Sequence, residues 1–132
     1  MLRQTELGKF ICHENHTLRD VLRKINDNVA GIALVTDSED RLKRAITDGD
    51  IRRAILAGHS IDSTVAEFER DFPGREPTVA HQSESPAQMR QLMLRDHIRQ
   101  LPLVDHDFRV VDINLLDDLL LVGAQVRVGV AH

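Results

Sequence analysis

The sequence is poor in aromatic residues and in cysteine. Only 3% of its 132 residues are aromatic, and neither tryptophan nor tyrosine occurs. Proteins that bind single-stranded nucleic acids stack bases on aromatic side chains, so this composition argues against such a surface. A single cysteine, Cys12, excludes an intrachain disulfide and a zinc site built from several cysteines. The core must therefore consist mainly of leucine, isoleucine and valine.

Long apolar runs and excess positive charge are also missing. No apolar stretch approaches the length that spans a bilayer, and the first residues, MLRQTELGKF, lack the apolar region of a signal peptide. The net charge of −4 argues against a general binder of nucleic-acid backbones. We therefore expect a globular cytoplasmic protein with neither a membrane nor a nucleic acid as its partner.

An internal repeat is the most informative feature of the chain. Three kinds of landmark recur 68 positions later without a gap: a hydroxyl residue that opens a helical pattern, an aspartate that closes an aliphatic run, and an aspartate at a strand-to-helix junction. Self-similarity at a fixed offset indicates two copies of one structural unit. The three pairs are Thr17 and Ser85, Asp37 and Asp105, and Asp50 and Asp118.

Each copy is predicted to contain a helix, a two-stranded hairpin and a second helix. In the first copy these are a helix opened by Thr17, strands at 32–35 and 42–47, and a helix at 48–57 that stops at Gly58. The second helix is expected to bury three apolar side chains, Ile51, Ala54 and Ile55.

In the second copy the same pattern predicts strands at 101–104 and 110–114 and a final helix from 116 to about 122. Pro102 cannot donate to a sheet, so we expect it at the start of its strand or on an edge. The opening helix is marked by Ser85 as cap, Pro86 in the first turn, Gln88 completing a capping box, and Met89, Leu92 and Met93 facing inward.

Two further segments flank the copies. Between them a short helix is predicted within 60–74, capped by Asp62 or Ser63 and burying Val65 and Phe68. Extended segments at 9–11 and 78–80 are expected to lead into the two copies.

The sharpest local motif is Ile-Thr-Asp-Gly-Asp-Ile-Arg-Arg at 46–53. Here a strand ends, a glycine permits close approach to the backbone, and a helix begins, whose free N–H groups attract anions. The Thr47 hydroxyl can bond a phosphate or sugar oxygen, and the Asp50 carboxylate can accept two ribose hydroxyls. This set of groups suits a nucleotide better than a metal.

These features resemble the CBS-domain family, whose members occur in tandem pairs called Bateman modules. The matching residues are the two aliphatic strands that end in aspartate, the stretch Ile-Arg-Gln-Leu-Pro-Leu-Val-Asp at 98–105, and the Thr-x-x-Asp of Thr47 and Asp50. A narrower resemblance, carried by 46–53 and by Leu-Leu-Asp-Asp-Leu-Leu at 115–120, is to modules fused to sugar-phosphate nucleotidyltransferases. It implies such an enzyme as a partner domain.

The resemblance implies one α/β (α+β) module over 1–121, made of two pseudo-twofold-related repeats, each with a small sheet packed by two helices. The sheets are expected to face each other across a shared core. The implied boundaries are repeat one at about 9–60, a connecting segment at about 61–76, repeat two at about 77–121, and a tail or tether at 122–132.

By the same resemblance the chain is a non-enzymatic regulatory module that binds an adenosine nucleotide (AMP, ADP or ATP) between its repeats. It has no resident cofactor and forms homodimers, with the aliphatic run at 119–122 as a candidate interface. The implied nucleotide-binding residues are Thr47 for phosphate, Asp50 for ribose, the backbone around Ile32 and Ala33 for adenine, Arg99 for phosphate, and Asp118 in the second half-site.

Two departures from the family pattern bear on this site. Leu115 stands where the second repeat should have threonine, and Arg44 and Asp112 stand where the family commonly has glycine. We expect these larger side chains to narrow the cleft between the repeats. At most one working nucleotide site, centred on Asp50, is therefore expected.

Several other interpretations remain open. The chain is either a sensor or a purely structural, dimerising module without a ligand. Asp48 and Asp50 also fit a magnesium-dependent hydrolase or simple helix-start carboxylates, and Arg52 and Arg53 fit an exposed helix face. Cys12, His13 and His16 resemble metal ligands, but they precede any helix that would align them, so we expect no metal site.

Overall fold

The computed structural model describes residues 7–28, 30–74 and 76–116. The chain divides into two compact units, with the boundary between Pro77 and Thr78. The first contains β1 (Ile11–His13), α1 (Leu18–Asn28), β2 (Ile32–Thr36), β3 (Leu42–Thr47), α2 (Asp48–Leu56) and α3 (Val65–Asp71). The second contains β4 (Ala80–His81), α4 (Pro86–Asp96), β5 (Gln100–Val104) and β6 (Val110–Leu115). None of the described helices is long and apolar enough to cross a membrane.

The two units contain the same small sheet. In the first, β2 lies between β1, which is parallel to it, and β3, which is antiparallel. In the second, β5 lies between β4 and β6 with the same directions. The predicted mixed α/β class is confirmed, and the strands correspond at the offset of 68, including an irregularity after Val35 that recurs after Leu103.

The hairpin turns also repeat. Asp40 and Phe108 both adopt a left-handed backbone, with φ of 65° and 64°. Before each turn an aspartate carboxylate accepts two backbone N–H groups: Asp37 Oδ1 from residues 39 and 41 at 2.8 and 3.0 Å, and Asp105 Oδ1 from residues 107 and 109 at 2.9 and 3.0 Å. The aspartates that end the aliphatic runs are therefore turn-forming residues.

These turns predict a dependence of stability on pH. The backbone N–H of Arg41 lowers the pKa of Asp37, and the backbone N–H of Arg109 lowers the pKa of Asp105. A lowered pKa in the folded state contributes stability above the unfolded pKa, near 3.9, and this stability is lost as the pH falls through the folded value. We expect the urea concentration at the midpoint of unfolding to decrease when the pH is lowered below about 4. It should decrease less in the Asp37→Asn/Asp105→Asn variant, which keeps a hydrogen-bond acceptor at each position but has no carboxylate to protonate. An equal fall in both proteins would contradict this account.

The core of the first unit lies between its sheet and its helices. Ala33 and Val35 of β2 and Ile46 of β3 face the helices, and all three are fully buried. The helices contribute Leu18, Val21, Ile25, Ile51, Ala54, Val65 and Phe68. In the second unit the corresponding core contains Ala80, Met89, Met93, Leu101, Leu103 and Leu116, so the inward-facing methionines are confirmed.

Several local predictions are confirmed and others are wrong. Ser85 accepts the N–H of Gln88 at 3.2 Å as the α4 cap, which is one half of the predicted capping box. Helix α3 is capped by Thr64 and not by Asp62 or Ser63, because the Thr64 hydroxyl accepts the N–H of Glu67. Ile55 is 44% exposed and does not face inward, since Ile51 and Ala54 alone fill the buried face of α2.

Pro102 is the clearest correction. It lies in the middle of β5, the central strand of its sheet, and not at a strand start or an edge. In the first unit the equivalent Leu34 donates its N–H to the carbonyl of Phe10 at 2.6 Å. Proline has no N–H to donate, and β4 is one residue shorter than β1, so its pairing with β5 starts only at Leu103. The sheet tolerates Pro102 because the neighbouring strand begins after it.

The extended segments expected at 9–11 and 78–80 lie about two residues further along the chain, as β1 and β4. The predicted final helix at 116–122, including the candidate interface at 119–122, falls almost wholly outside the described residues, as does the tail.

A candidate ligand site at the start of helix α2

Thr47 and Asp50 meet at the start of α2 in a reciprocal capping box. The Asp50 N–H donates to the Thr47 hydroxyl at 3.3 Å, and the Thr47 N–H donates to Asp50 Oδ2 at 2.9 Å. Both residues sit where β3 ends and α2 begins, so the strand fixes Thr47 while the helix fixes Asp50. The structure therefore brings these two predicted site residues together.

Arg53 joins this pair from the next turn of α2. Its Nη2 donates to the other carboxylate oxygen, Asp50 Oδ1, at 2.7 Å. Its guanidinium lies beside Gly49, where an added Cβ would be 3.4 Å from Nη1 and 3.8 Å from the Thr47 hydroxyl. Arg53 is 69% exposed whereas Asp50 is 27% exposed, so the carboxylate is held and the guanidinium borders solvent.

Ile32 pairs with Thr47 across the β2–β3 hairpin and therefore shares its face of the sheet. Ala33 points the other way, into the helix-packed core. Of the two residues predicted to flank the base, only Ile32 presents its side chain on the face that carries Thr47. On that face Ala33 can contact a ligand only through its backbone, which is the contact that was predicted.

Arg44 lies on the helix-packed face of the sheet, opposite to Ile32. Its guanidinium lies 4.7 Å above the ring of Phe68 and donates to the carbonyl of Phe72 at 2.8 Å. The residue is 8% exposed. The side chain is therefore held beneath α3, on the helix-packed face of the sheet, and its predicted effect on the cleft between the repeats stays a prediction. Asp112, its counterpart, is also buried.

The two remaining predicted residues belong to the second unit. Arg99 precedes β5, is exposed, and accepts the N–H of Leu116 through its carbonyl at 2.9 Å. Asp118 lies outside the described residues. The structure thus assembles Thr47, Asp50 and Ile32 within the first unit, and the roles of Arg99 and Asp118 stay predictions.

The Thr-x-x-Asp spacing occurs a second time in the same unit. At the start of α1, Asp20 donates its N–H to the Thr17 hydroxyl at 3.2 Å, and Asp20 Oδ2 accepts the N–H of Thr17 at 3.0 Å. This is the same capping box. The spacing alone therefore does not mark a ligand site, and what distinguishes the α2 copy is Gly49 and the contact from Arg53.

Cys12 lies in the hydrophobic core, whereas His13 and His16 contact each other. Cys12 is fully buried, and desolvation raises the pKa of its thiol to about 11. His13 donates its backbone N–H to Nδ1 of His16 at 3.2 Å. Within the described part of the chain, no three histidine, cysteine or acidic side chains converge on a point where a metal ion would fit.

Part of the sequence that forms this site matches a known protein family. Residues 9–57 match the model of the CBS domain family, and this range contains β1 to α2 and, with them, Ile32, Thr47 and Asp50. The predicted CBS resemblance is thus confirmed for the first repeat.

A probable arabinose 5-phosphate isomerase of Haemophilus influenzae is 35% identical to the chain over 108 residues, which is 82% of this chain and 31% of the isomerase. The chain therefore spans about a third of the length of this relative. The relative is a sugar-phosphate isomerase and not a nucleotidyltransferase, so it does not support the narrower resemblance.

Solved structures extend the likeness to both repeats. The CBS domains of a transcriptional regulator from Streptococcus pneumoniae superpose with a TM-score of 0.71 at 17% identity, covering 90% of this chain and 91% of that one. A CBS domain protein of Pyrobaculum aerophilum in complex with AMP gives 0.70 at 21% identity, covering 94% and 99%. CBSX2 in complex with AMP gives 0.73 at 18%, covering 96% and 94%. The chain has the fold of these CBS proteins.

The contact between Arg53 and Asp50 is the part of the site that the sequence pattern alone did not assign. Its signal was present, because residues three apart on a helix are neighbours and an acid–base pair at that spacing is attractive. Arg52 makes the matching contact with Asp48 at 2.9 Å, four residues away, and is equally exposed at 70%.

Proposed function

We propose that this chain is a regulatory module that binds an adenosine-type nucleotide (AMP, ADP or ATP) through Thr47, Asp50 and Ile32, with Arg99 and Asp118 as further binding residues. The observation that carries the proposal is the α2 site, where a carboxylate and a hydroxyl flank a glycine at the start of a helix. Two proteins of the same fold were solved with AMP.

We further propose that binding shifts the population of repeat geometries and that a homodimer or partner domain responds to the shift. The isomerase relative makes a sugar-phosphate isomerase domain the preferred partner, in place of the nucleotidyltransferase first expected. The module itself is proposed to be cytoplasmic, to carry no catalytic activity and to need no resident cofactor.

The second candidate is a structural module without a ligand. It is favoured by the fact that both oxygens of the Asp50 carboxylate already have partners within the chain, Thr47 and Arg53. It is favoured too by the Thr17–Asp20 box, which makes the same two hydrogen bonds at the start of another helix. On this interpretation Thr47 and Asp50 do nothing more than cap α2.

The Asp20 box supplies a matched control that separates the two candidates. Isothermal titration with AMP, ADP and ATP is expected to give dissociation constants in about the micromolar to millimolar range. Asp50→Ala should weaken binding by about tenfold to a hundredfold, because it removes charge-assisted hydrogen bonds. Asp20→Ala, which also loses half of a capping box, should bind like the unmodified chain.

Failure takes two distinct forms. Absence of binding by the unmodified, folded chain at millimolar nucleotide would reject the sensor and leave the structural module. Equal weakening by Asp50→Ala and Asp20→Ala would show that Asp50 acts on the ligand only through the stability of the fold.

A further inference from the structure

We propose that a groove beside helix α1 is a second ligand site of the first unit and takes a small phosphorylated sugar. The groove holds a cavity of about 400 Å³, which lies within the size range of small-molecule sites. Six titratable side chains line it: Lys9, His16, Asp20, Arg23, Lys24 and Asp27. None of them belongs to the α2 site, so the inference goes beyond the proposed nucleotide function.

The second unit has a cavity at the equivalent position, of about 500 Å³. Five of the six lining residues of the α1 groove correspond, at the offset of 68, to residues that line this second cavity. They are Glu84, Gln88, Gln91, Leu92 and Arg95, which correspond to positions 16, 20, 23, 24 and 27. A cavity that occurs twice at one position belongs to the fold of the unit and not to a chance arrangement of surface side chains.

The walls of the groove are tied together. Lys24 Nζ donates to the carbonyl of Gly8 at 2.7 Å, and Asn28 Nδ2 donates to the carbonyl of Lys9 at 3.1 Å. In the second unit the residue equivalent to Asn28, Asp96, accepts the hydroxyl of Thr78 at 3.0 Å. The end of the first helix is thus bonded to the chain before the first strand in both units, and this holds the groove open.

The charged side chains of the groove do not pair with one another. Helical spacing allows four acid–base pairs, in which Asp20 or Asp27 meets Arg23 or Lys24 three or four residues away. Among the described side chains none of these pairs comes within 4.0 Å. On α2, by contrast, the two pairs with this spacing form at 2.9 and 2.7 Å. The groove therefore keeps both kinds of charge available to a ligand.

The order of the charges along α1 indicates the class of ligand. Arg23 and Lys24 lie in the middle and, with Lys9, suit a phosphate group. Asp20 lies about one turn before them and Asp27 about one turn after, roughly 5.4 Å along the axis. Carboxylates repel a bare phosphate but accept hydroxyl groups. A sugar phosphate brings both groups at about this separation.

The second cavity lacks these charges. The positions of Lys9, Arg23 and Lys24 are occupied there by Pro77, Gln91 and Leu92. The arginine that lines the second cavity, Arg95, donates to its neighbour Asp96 at 2.8 Å. The two repeats thus share the shape of the groove but not its chemistry. One sugar phosphate per chain, bound beside α1, is the expected stoichiometry.

NMR titration of the isotope-labelled chain with ribose 5-phosphate, ribose and inorganic phosphate tests the inference. Ribose 5-phosphate should shift the amide signals of α1 and Lys9 and leave those of α4 in place, with a dissociation constant of about 1 mM or below. Ribose and inorganic phosphate should each bind at least about tenfold more weakly, because each engages only one of the two kinds of charge.

Three variants place the ligand. Arg23→Met keeps the length of the side chain, removes its charge and should weaken ribose 5-phosphate by about tenfold. Arg19→Met makes the same change on the same helix, at a side chain that contacts Asp62 and does not line the groove, and should leave the affinity within about twofold. Asp50→Ala, in the α2 site, should also leave it within about twofold.

Titration with AMP separates failure of this inference from failure of the proposed function. A folded chain that binds AMP but not ribose 5-phosphate at about 10 mM would overturn the groove alone, and the reverse result would reject the proposed function alone. Inorganic phosphate bound as tightly as ribose 5-phosphate would overturn the inference, because the groove would then be an unspecific anion patch. Ribose 5-phosphate affinity lost in Asp50→Ala and kept in Arg23→Met would also overturn it, by assigning the sugar phosphate to the α2 site.

Discussion

Replacing Phe68 by alanine is expected to lower the free energy of unfolding of the first unit by about 3–5 kcal/mol. Phe68 is 1% exposed and is among the largest side chains of the core. It stacks on Phe72, with ring centroids 5.4 Å apart. The guanidinium of Arg44 lies 4.7 Å from the centre of the Phe68 ring. Alanine leaves a cavity and also leaves the buried cation without its aromatic partner.

The consequence should reach the α2 site. Ile51 and Ala54 of α2 belong to the same core cluster as Phe68, so a loosened core weakens the support of the helix that holds Asp50. Urea unfolding followed by circular dichroism measures the loss, and Leu56→Ala, at a leucine that is 81% exposed, is the control and should change stability by less than about 0.5 kcal/mol. A loss below about 1 kcal/mol for Phe68→Ala would show that the core repacks around the cavity.

The fold could be predicted from the sequence because its signals are local and occur twice. The hydroxyl caps predict helix starts, the aliphatic runs predict strands, and the aspartates after those runs predict turns. Each of these signals occurs again 68 residues later, which supports the prediction made from its first occurrence. The left-handed residue at Phe108 shows the strength of this constraint, since a phenylalanine there adopts the backbone that Asp40 adopts in the first repeat.

The errors arose where tertiary contacts decide the outcome. Ile55 fits the helical period of α2, but two neighbours already fill its buried face. The burial of Arg44 could not be predicted either, because its partners under α3, Phe68 and Phe72, lie more than twenty residues away in the sequence. The contact from Arg53 follows helical spacing, yet Arg23 at the same spacing makes no such pair, so only the three-dimensional structure separates the two.

Pro102 and Leu34 occupy equivalent positions in the two repeats. The second large effect on the free energy of unfolding is therefore expected when the proline of one repeat is introduced into the other. Leu34→Pro is expected to lower the free energy of unfolding by about 3–5 kcal/mol. The change removes the N–H that donates to Phe10 at 2.6 Å and truncates a side chain that is fully buried. Unlike β4, strand β1 begins early enough to pair with this position, through Ile11.

Leu34→Ala separates the two causes, since it truncates the side chain and keeps the N–H. Leu34→Pro should be less stable than Leu34→Ala by about 1–3 kcal/mol, the cost of leaving the carbonyl of Phe10 without its donor. Urea unfolding of the three proteins measures the difference. If the proline and alanine variants were equally stable, the short pairing of β4 would not be the consequence of Pro102, and the different lengths of β1 and β4 would need another cause.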